Sequence, residues 1–183
     1  MDMNITFCVV PQPVTFTNKW RQDSAALGFI DSIDHVIAVA QFCSDPLSVL
    51  VHEYGHLHQW MEGEPTWKAF SKSKINWDTP YEKLSKKHLE ISTRLTSENE
   101  LDCERRAVEF IRDYDLPISE KEYCRGANAN VLVYNAIRRM RRPNIKSVSQ
   151  DKKLIAKMPN CLDSIDYSDI NSWHVDQIIN HAF

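Results

Sequence analysis

His52-Glu53-Tyr54-Gly55-His56 is an HExxH pentapeptide. Residues four apart on a helix lie one turn above each other, so His52 and His56 can offer two imidazole nitrogens to one ion while Glu53 borders the same face. The chemistry this spacing serves is a zinc centre with a general base beside it. Two imidazoles leave such a centre incomplete, because a catalytic zinc takes three protein ligands and keeps its fourth position for water.

The third ligand has to come from outside the pentapeptide. A metzincin would need Gly at 59 and His at 62, where the chain has Gln59 and Glu62. The better source is Ser97 to Ile111. On a helix Glu100, Glu104, Ala107 and Ile111 fall in one line, so two carboxylates extend an apolar stripe. Carboxyls on a core stripe need a partner; a metal is the strongest, and a metal-bound histidine the next, because its second N–H normally goes to a carboxylate. Glu100 is therefore assigned to the zinc and Glu104 to a ligating histidine. Two alternatives stay open. Glu100 could instead close a Ser-x-x-Glu capping box with Ser97, and His88, within Ser85-Lys86-Lys87-His88, could replace it as third ligand. His58 follows His56 by two positions and points away from the metal face. His174, Tyr123 and Tyr134 are candidate oxyanion donors that the sequence does not place.

The elements that must hold these residues are well marked. Ser44 or Asp45 can cap the HExxH helix, Pro46 suits its first position and Gly63 its end. Leu47, Leu50, Val51, Tyr54, Leu57 and Met61 recur at helical steps and predict the buried face. Gly55, costly inside a helix, admits another segment close to the metal position. Upstream, Ile5 to Val10 reads as a strand ended by Pro11 and Pro13, and residues 28–40 as a hairpin with its turn at Ser32 to Asp34. Its second strand, residues 35–40, is either a shelf for an extended substrate or a plain core strand. Residues 62–96, with Trp67, Phe70, Trp77 and Tyr81, read as a lid or binding wall, or as helix-plus-loop packing. A capping box from Ser119 to Glu122 opens a last long helix, predicted to run to Arg142 and stop at Pro143. Its end, Arg138 to Arg142, complements the helix dipole or, in the sharper alternative, contacts nucleic acid.

The order of Gly28-Phe29-Ile30-Asp31, the strand His35 to Ala40, the HExxH helix and a later Glu-x-x-x-acid-x-x-Ala helix resembles small gluzincin metallopeptidases. The closest resemblance is to the ImmA/IrrE family, with membrane CAAX-type endopeptidases more distant, over roughly residues 26–112. The chain also resembles compact HExxH proteins encoded by tailed bacteriophages. The resemblance implies zinc held by His52, His56 and Glu100, Glu53 as general base, and hydrolysis of a peptide or protein substrate. The chain departs from the family at Glu104, where Asp or Asn is commoner.

A chain of 183 residues with 43% apolar content fits one domain, residues 1–183. The expected class is α+β: a minimal zincin with a small N-terminal sheet, the HExxH helix and a mostly helical C-terminal half. No apolar run approaches a membrane span, and the start lacks a basic-then-apolar layout, so a cytoplasmic protein is expected, in the host cytoplasm if phage-encoded. Five dispersed cysteines with no Cys-x-x-Cys pair argue against a disulfide framework and against a thiolate zinc site, and Cys103, between Glu100 and Glu104 in the chain, is assigned no chemistry. A net charge of −3 speaks against nucleic acid as a general partner. The sequence therefore predicts metal-assisted peptide hydrolysis, with a zinc-binding sensor of weak or no hydrolysis as its alternative.

Overall fold

In a computed structural model of the protein the described residues are 5–10, 14–15, 25–26, 28–31, 36–40, 45–73, 85–141, 148 and 151–182. They form an α+β arrangement, mostly helical, with a small sheet near the N-terminus. The strands are β1 (Thr6–Val10), β2 (Val14–Thr15), β3 (Ala25–Ala26), β4 (Gly28–Asp31) and β5 (Val36–Ala40). β2 and β3 pair with each other; the remaining three form a sheet in the order β1-β5-β4. β1 runs parallel to β5, with Thr6 opposite Val36, and β4 runs antiparallel to it, with Gly28 opposite Val39. The predicted hairpin is therefore present as β4 and β5, and its turn at Ser32 to Asp34 lies outside the described residues, as do Pro11 and Pro13.

One expectation fails here. β5 is the central strand, hydrogen-bonded on both sides, and Ile37, Ala38, Val39 and Ala40 are all buried. Residues 36–40 form a core strand with no free edge, which removes the substrate shelf and leaves the plain core strand; His35 lies outside the described residues.

Helix α1 (Pro46–Glu62) follows the sheet. Asp45 caps it by accepting from the Ser48 N–H at 3.1 Å, and Gly63 ends it at φ 63° in the left-handed region that favours glycine. Leu57 packs on Ile37 and Val39 of the sheet, while Val51 packs on Ala107 and Ile111 of α3 (Lys86–Asp113). α1 thus lies between the sheet and α3. The buried face departs from the predicted stripe: Val51 and Leu57 are buried, Leu47, Leu50 and Tyr54 are partly buried, Met61 is half exposed, and Glu53, Gly55, His56 and Gln59 are buried beside them. Between α1 and α3 comes α2 (Pro65–Ser73), a short helix packed on α3.

α3 corrects a second expectation. Ser85 caps it, accepting from the His88 N–H at 3.1 Å, so Ser97 sits in its interior and closes no capping box. Ser92, Thr93 and Thr96 donate back to the carbonyls one turn earlier, which satisfies their hydroxyls without breaking the helix.

The last long helix, α4 (Glu120–Met140), is capped by Ser119 as predicted but ends at Arg141, which adopts the left-handed conformation at φ 56°, short of Arg142. Ala129, Leu132 and Ala136 of α4 form a core with Leu154 of α5 (Lys152–Ile155) and with Val175 and Ile178 of α6 (Trp173–Ala182). Of the basic run, Arg138 pairs with Glu90 at 2.7 Å and Arg139 with Asp176 at 2.6 Å. Their charge is spent largely within the molecule. Among the described residues no helix is long and apolar enough to cross a membrane.

Candidate metal centre

The HExxH spacing places His52 and His56 one turn apart on α1, with ring centroids 4.7 Å from each other. α3 crosses this face, and Glu100 comes to both rings: its Oε2 lies 3.6 Å from His52 Nε2 and 3.5 Å from His56 Nε2. Four residues further along α3, Glu104 reaches the opposite side of His52. His52 Nδ1–H donates to Glu104 Oε1 at 3.1 Å, and the Tyr123 hydroxyl on α4 donates to Glu104 Oε2 at 2.5 Å. Glu104 is buried at 3% exposure, so these two bonds are what satisfy it.

His56 is held in the same way by a different group. Its Nδ1–H donates to Gln59 Oε1 at 2.8 Å, and the Gln59 amide donates to the Asn99 carbonyl and to Asp102 Oδ2, both at 2.8 Å. Because the Gln59 amide nitrogen is committed to two acceptors, its oxygen must be the atom facing His56, and that fixes the ring's tautomer. Arg106 closes the chain by donating to Asp102 Oδ2 at 2.8 Å, to Glu62 Oε2 at 2.7 Å and to His58 Nδ1 at 2.7 Å. His58 therefore belongs to an ion-pair cluster away from the centre.

With both Nδ1 atoms donating, each Nε2 carries its lone pair whenever the ring is neutral. Two such nitrogens and a carboxylate oxygen, all acceptors, converge at about van der Waals separation; such a set requires a cation between its members, either protons or a metal. Without metal, protons fill the role. Burial pushes the His52 imidazole down, but Cys103 and Glu104 outweigh it and hold it well above its ordinary value. Burial is likewise outweighed at His56 by Cys103 and Glu100. At Glu100, burial acts upward and the two imidazoles bring the carboxyl below its usual range.

Cys103, to which sequence reasoning gave no role, joins the same neighbourhood. Its sulfur lies 3.8 Å from His52 Nδ1, and its thiol donates to the His52 carbonyl at 3.1 Å. His52, His56 and Cys103 offer donor atoms within 4.8 Å of one another, a group that could hold a metal ion. Two three-donor sets thus share the histidines. They differ in approach: the thiol reaches His52 on the Nδ1 side already taken by Glu104, whereas Glu100 faces both Nε2 atoms.

Glu53 is buried beside the two histidines at 8% exposure. Burial pushes its carboxyl up, against the pull of the two imidazoles. The β4 backbone presses on it at Gly28, where an added Cβ would lie 2.6 Å from Val49 Cγ1 and 2.9 Å from Glu53 Cγ. On the His56 side Trp67 of α2 stands 5.8 Å away between ring centroids, so α2 walls that flank. Trp77 and Tyr81 lie outside the described residues.

The remaining candidates are not brought to the centre. His88 is exposed in the first turn of α3, about 18 Å along the helix axis from Glu100. Tyr134 packs with Leu89 and Ile137, and His174 stacks edge-on against Trp173 on α6. Tyr123 does reach the site, with its hydroxyl engaged by Glu104. Gln59 and Gly28 were missed; a Gln three residues past the second histidine, one turn along the same face, was the available signal for the first.

Comparison with protein families, curated proteins and solved structures returns no match to this chain.

Proposed function

We propose that the protein is a zinc-dependent metallopeptidase in which His52, His56 and Glu100 hold the ion. The observation that carries this reading is the convergence of both Nε2 lone pairs on Glu100 Oε2 while each Nδ1 donates to its own buried acceptor. Two imidazole nitrogens and one carboxylate oxygen, with a position left for water, are the donor set of a catalytic zinc. Cys103 is set aside as a ligand because Glu104 holds the ring nitrogen it approaches, and because its thiol proton is committed to the His52 carbonyl.

When bound, the ion lowers the pKa of water toward about 7 and polarises a substrate carbonyl. A carboxylate oxygen of Glu53 takes the water proton and later hands it to the leaving amine. Glu104 and Gln59 keep the two imidazoles in the tautomer and orientation that present Nε2, and Tyr123 keeps Glu104 in place. The sheet, the HExxH helix beside it and the crossing carboxylate helix support the minimal zincin reading. The peptide as substrate follows from the resemblance to gluzincins.

Two measurements test the reading. Purified protein should hold about one zinc per chain, or take it up on addition. Glu53→Gln should keep that zinc while lowering turnover of a broad peptide library by about two to four orders of magnitude. Protein that neither holds nor takes up metal would end the proposal, and so would a Glu53→Gln variant as active as wild type.

A further inference from the structure

A cavity of about 440 Å³ opens beside the metal centre, bounded by the first half of α1, by β4 and by one face of α4. It runs from the exposed Asp45 and Glu122 to the buried Glu53, with Val49, Ile118 and Ala127 among its apolar walls. Its size suits one large side chain with room for backbone, and its inner end is the proposed general base.

Two glycines line it, and they differ in kind. Gly28 is explained by packing, since a Cβ there would collide with Val49 and Glu53. Gly126 is not: it lies within α4, where glycine is among the poorest helix formers, and a Cβ built on it meets nothing within 4 Å. Neither backbone conformation nor a neighbour requires a glycine at 126. What the missing side chain provides is space, on the face of α4 where Tyr123, Ala127 and Asn130 also border the cavity.

The lining also selects by charge. Asp45, Glu53, Glu104 and Glu122 contribute four carboxylates, and no Lys or Arg lines the cavity among the described residues. His52 is the one basic side chain in the lining among the described residues, and it is engaged by Glu100 and Glu104. At the rim an acidic side chain would meet the carboxylates of Asp45 and Glu122, whereas a cation on an aliphatic stem could lay the stem on the apolar walls and keep its head at that exposed rim.

We infer that this cavity is the subsite for a long, aliphatic-stemmed basic side chain of the substrate next to the bond cleaved, and that Gly126 keeps it open. The inference rests on the metallopeptidase reading for its substrate, but its test separates the two. Zinc-supplemented Glu53→Gln protein, in which turnover of peptide is slowed, is titrated with fluorescent decapeptide pools, each fixed at one central position as Lys, norleucine, Glu or Ala. The Lys pool should bind most tightly, ahead of norleucine, and at least about 10-fold more tightly than Glu or Ala. Adding Gly126→Leu should abolish the advantage of Lys and norleucine over Ala, and Gly126→Ala should reduce it partway, with thermal melts showing both variants folded. Equal binding of the Lys and Glu pools overturns the inference. So does a Lys-to-Ala ratio that Gly126→Leu leaves unchanged in folded protein. Wild-type turnover of the same pools is scored separately: pools bound in this order but never cleaved would retain the subsite and remove the hydrolysis.

Discussion

Gly55 lies directly against Cys103: a Cβ at 55 would sit 2.8 Å from the Cys103 carbonyl oxygen and 2.9 Å from its sulfur. At this point the backbones of α1 and α3 come closer than any side chain at 55 would allow. Cys103 lies between Glu100 and Glu104 on α3, and Gly55 lies between His52 and His56 on α1. The approach of those two residues therefore sets how near the carboxylates come to the imidazoles. The predicted role of Gly55, admitting a second segment beside the metal position, is met by α3.

Gly55→Ala tests this relationship. In an unconstrained helix the change would gain about 1 kcal/mol from propensity. Here the methyl group has to push α1 and α3 apart, and overpacking of this kind costs about 1–3 kcal/mol. The variant should melt below wild type and bind zinc more weakly, because the gap opens between Glu100 and the histidines. A variant more stable than wild type with full zinc affinity would show that the contact does not position the site.

The rival three-donor sets are separated by zinc titration. Glu100→Ala should abolish tight binding, as should His52→Ala or His56→Ala, whereas Cys103→Ala should keep it. Glu104→Ala and Gln59→Ala act through the second ring nitrogen and should weaken binding by about 10- to 100-fold. Loss of zinc in Cys103→Ala with retention in Glu100→Ala would invert the assignment.

Much of this centre was legible in the chain because its signals are local. The cap at Asp45, Pro46, the HExxH spacing and Gly63 all lie within one helix, and Glu100 and Glu104 announce themselves one turn apart on another. What escaped is set by contacts between elements. Ser97 with Glu100 looks like a helix start, but the cap at Ser85 and the hydroxyl bonds of Ser92, Thr93 and Thr96 show α3 already under way. β5 reads equally as edge or centre until β1 pairs with it from far upstream. Gly126 carries no sequence signal, because its meaning is the emptiness beside it.

Gly28→Ala addresses Glu53, the proposed general base, without touching a proposed ligand. The added methyl would overlap Val49 and Glu53, and the side chain able to yield is Glu53. A displacement of about 1 Å in a reacting group can cost about 100-fold in rate. Turnover should therefore fall by about that factor while zinc content stays near wild type. Equal loss of zinc and activity would mean that β4 supports the whole centre and not Glu53 in particular.

The last prediction concerns pH. In the metal-free protein the His52 and His56 imidazoles titrate well above their ordinary value, because Cys103 with Glu104, and Cys103 with Glu100, outweigh burial. A raised folded-state pKa contributes stability that is fully present below the unfolded value, about 6.5, and lost as pH rises through the folded pKa. The metal-free protein is therefore favoured by these two groups on the acid side of that window. Zinc needs the same Nε2 atoms unprotonated, so protons compete with it and its affinity falls as pH falls. The two effects act in the same direction on the difference between the forms. Melting temperatures measured with zinc and with a chelator should stand furthest apart at pH 8 and converge toward pH 5.5. A zinc-induced gap that stays constant or widens over that descent would mean that the ion is not held by these imidazoles.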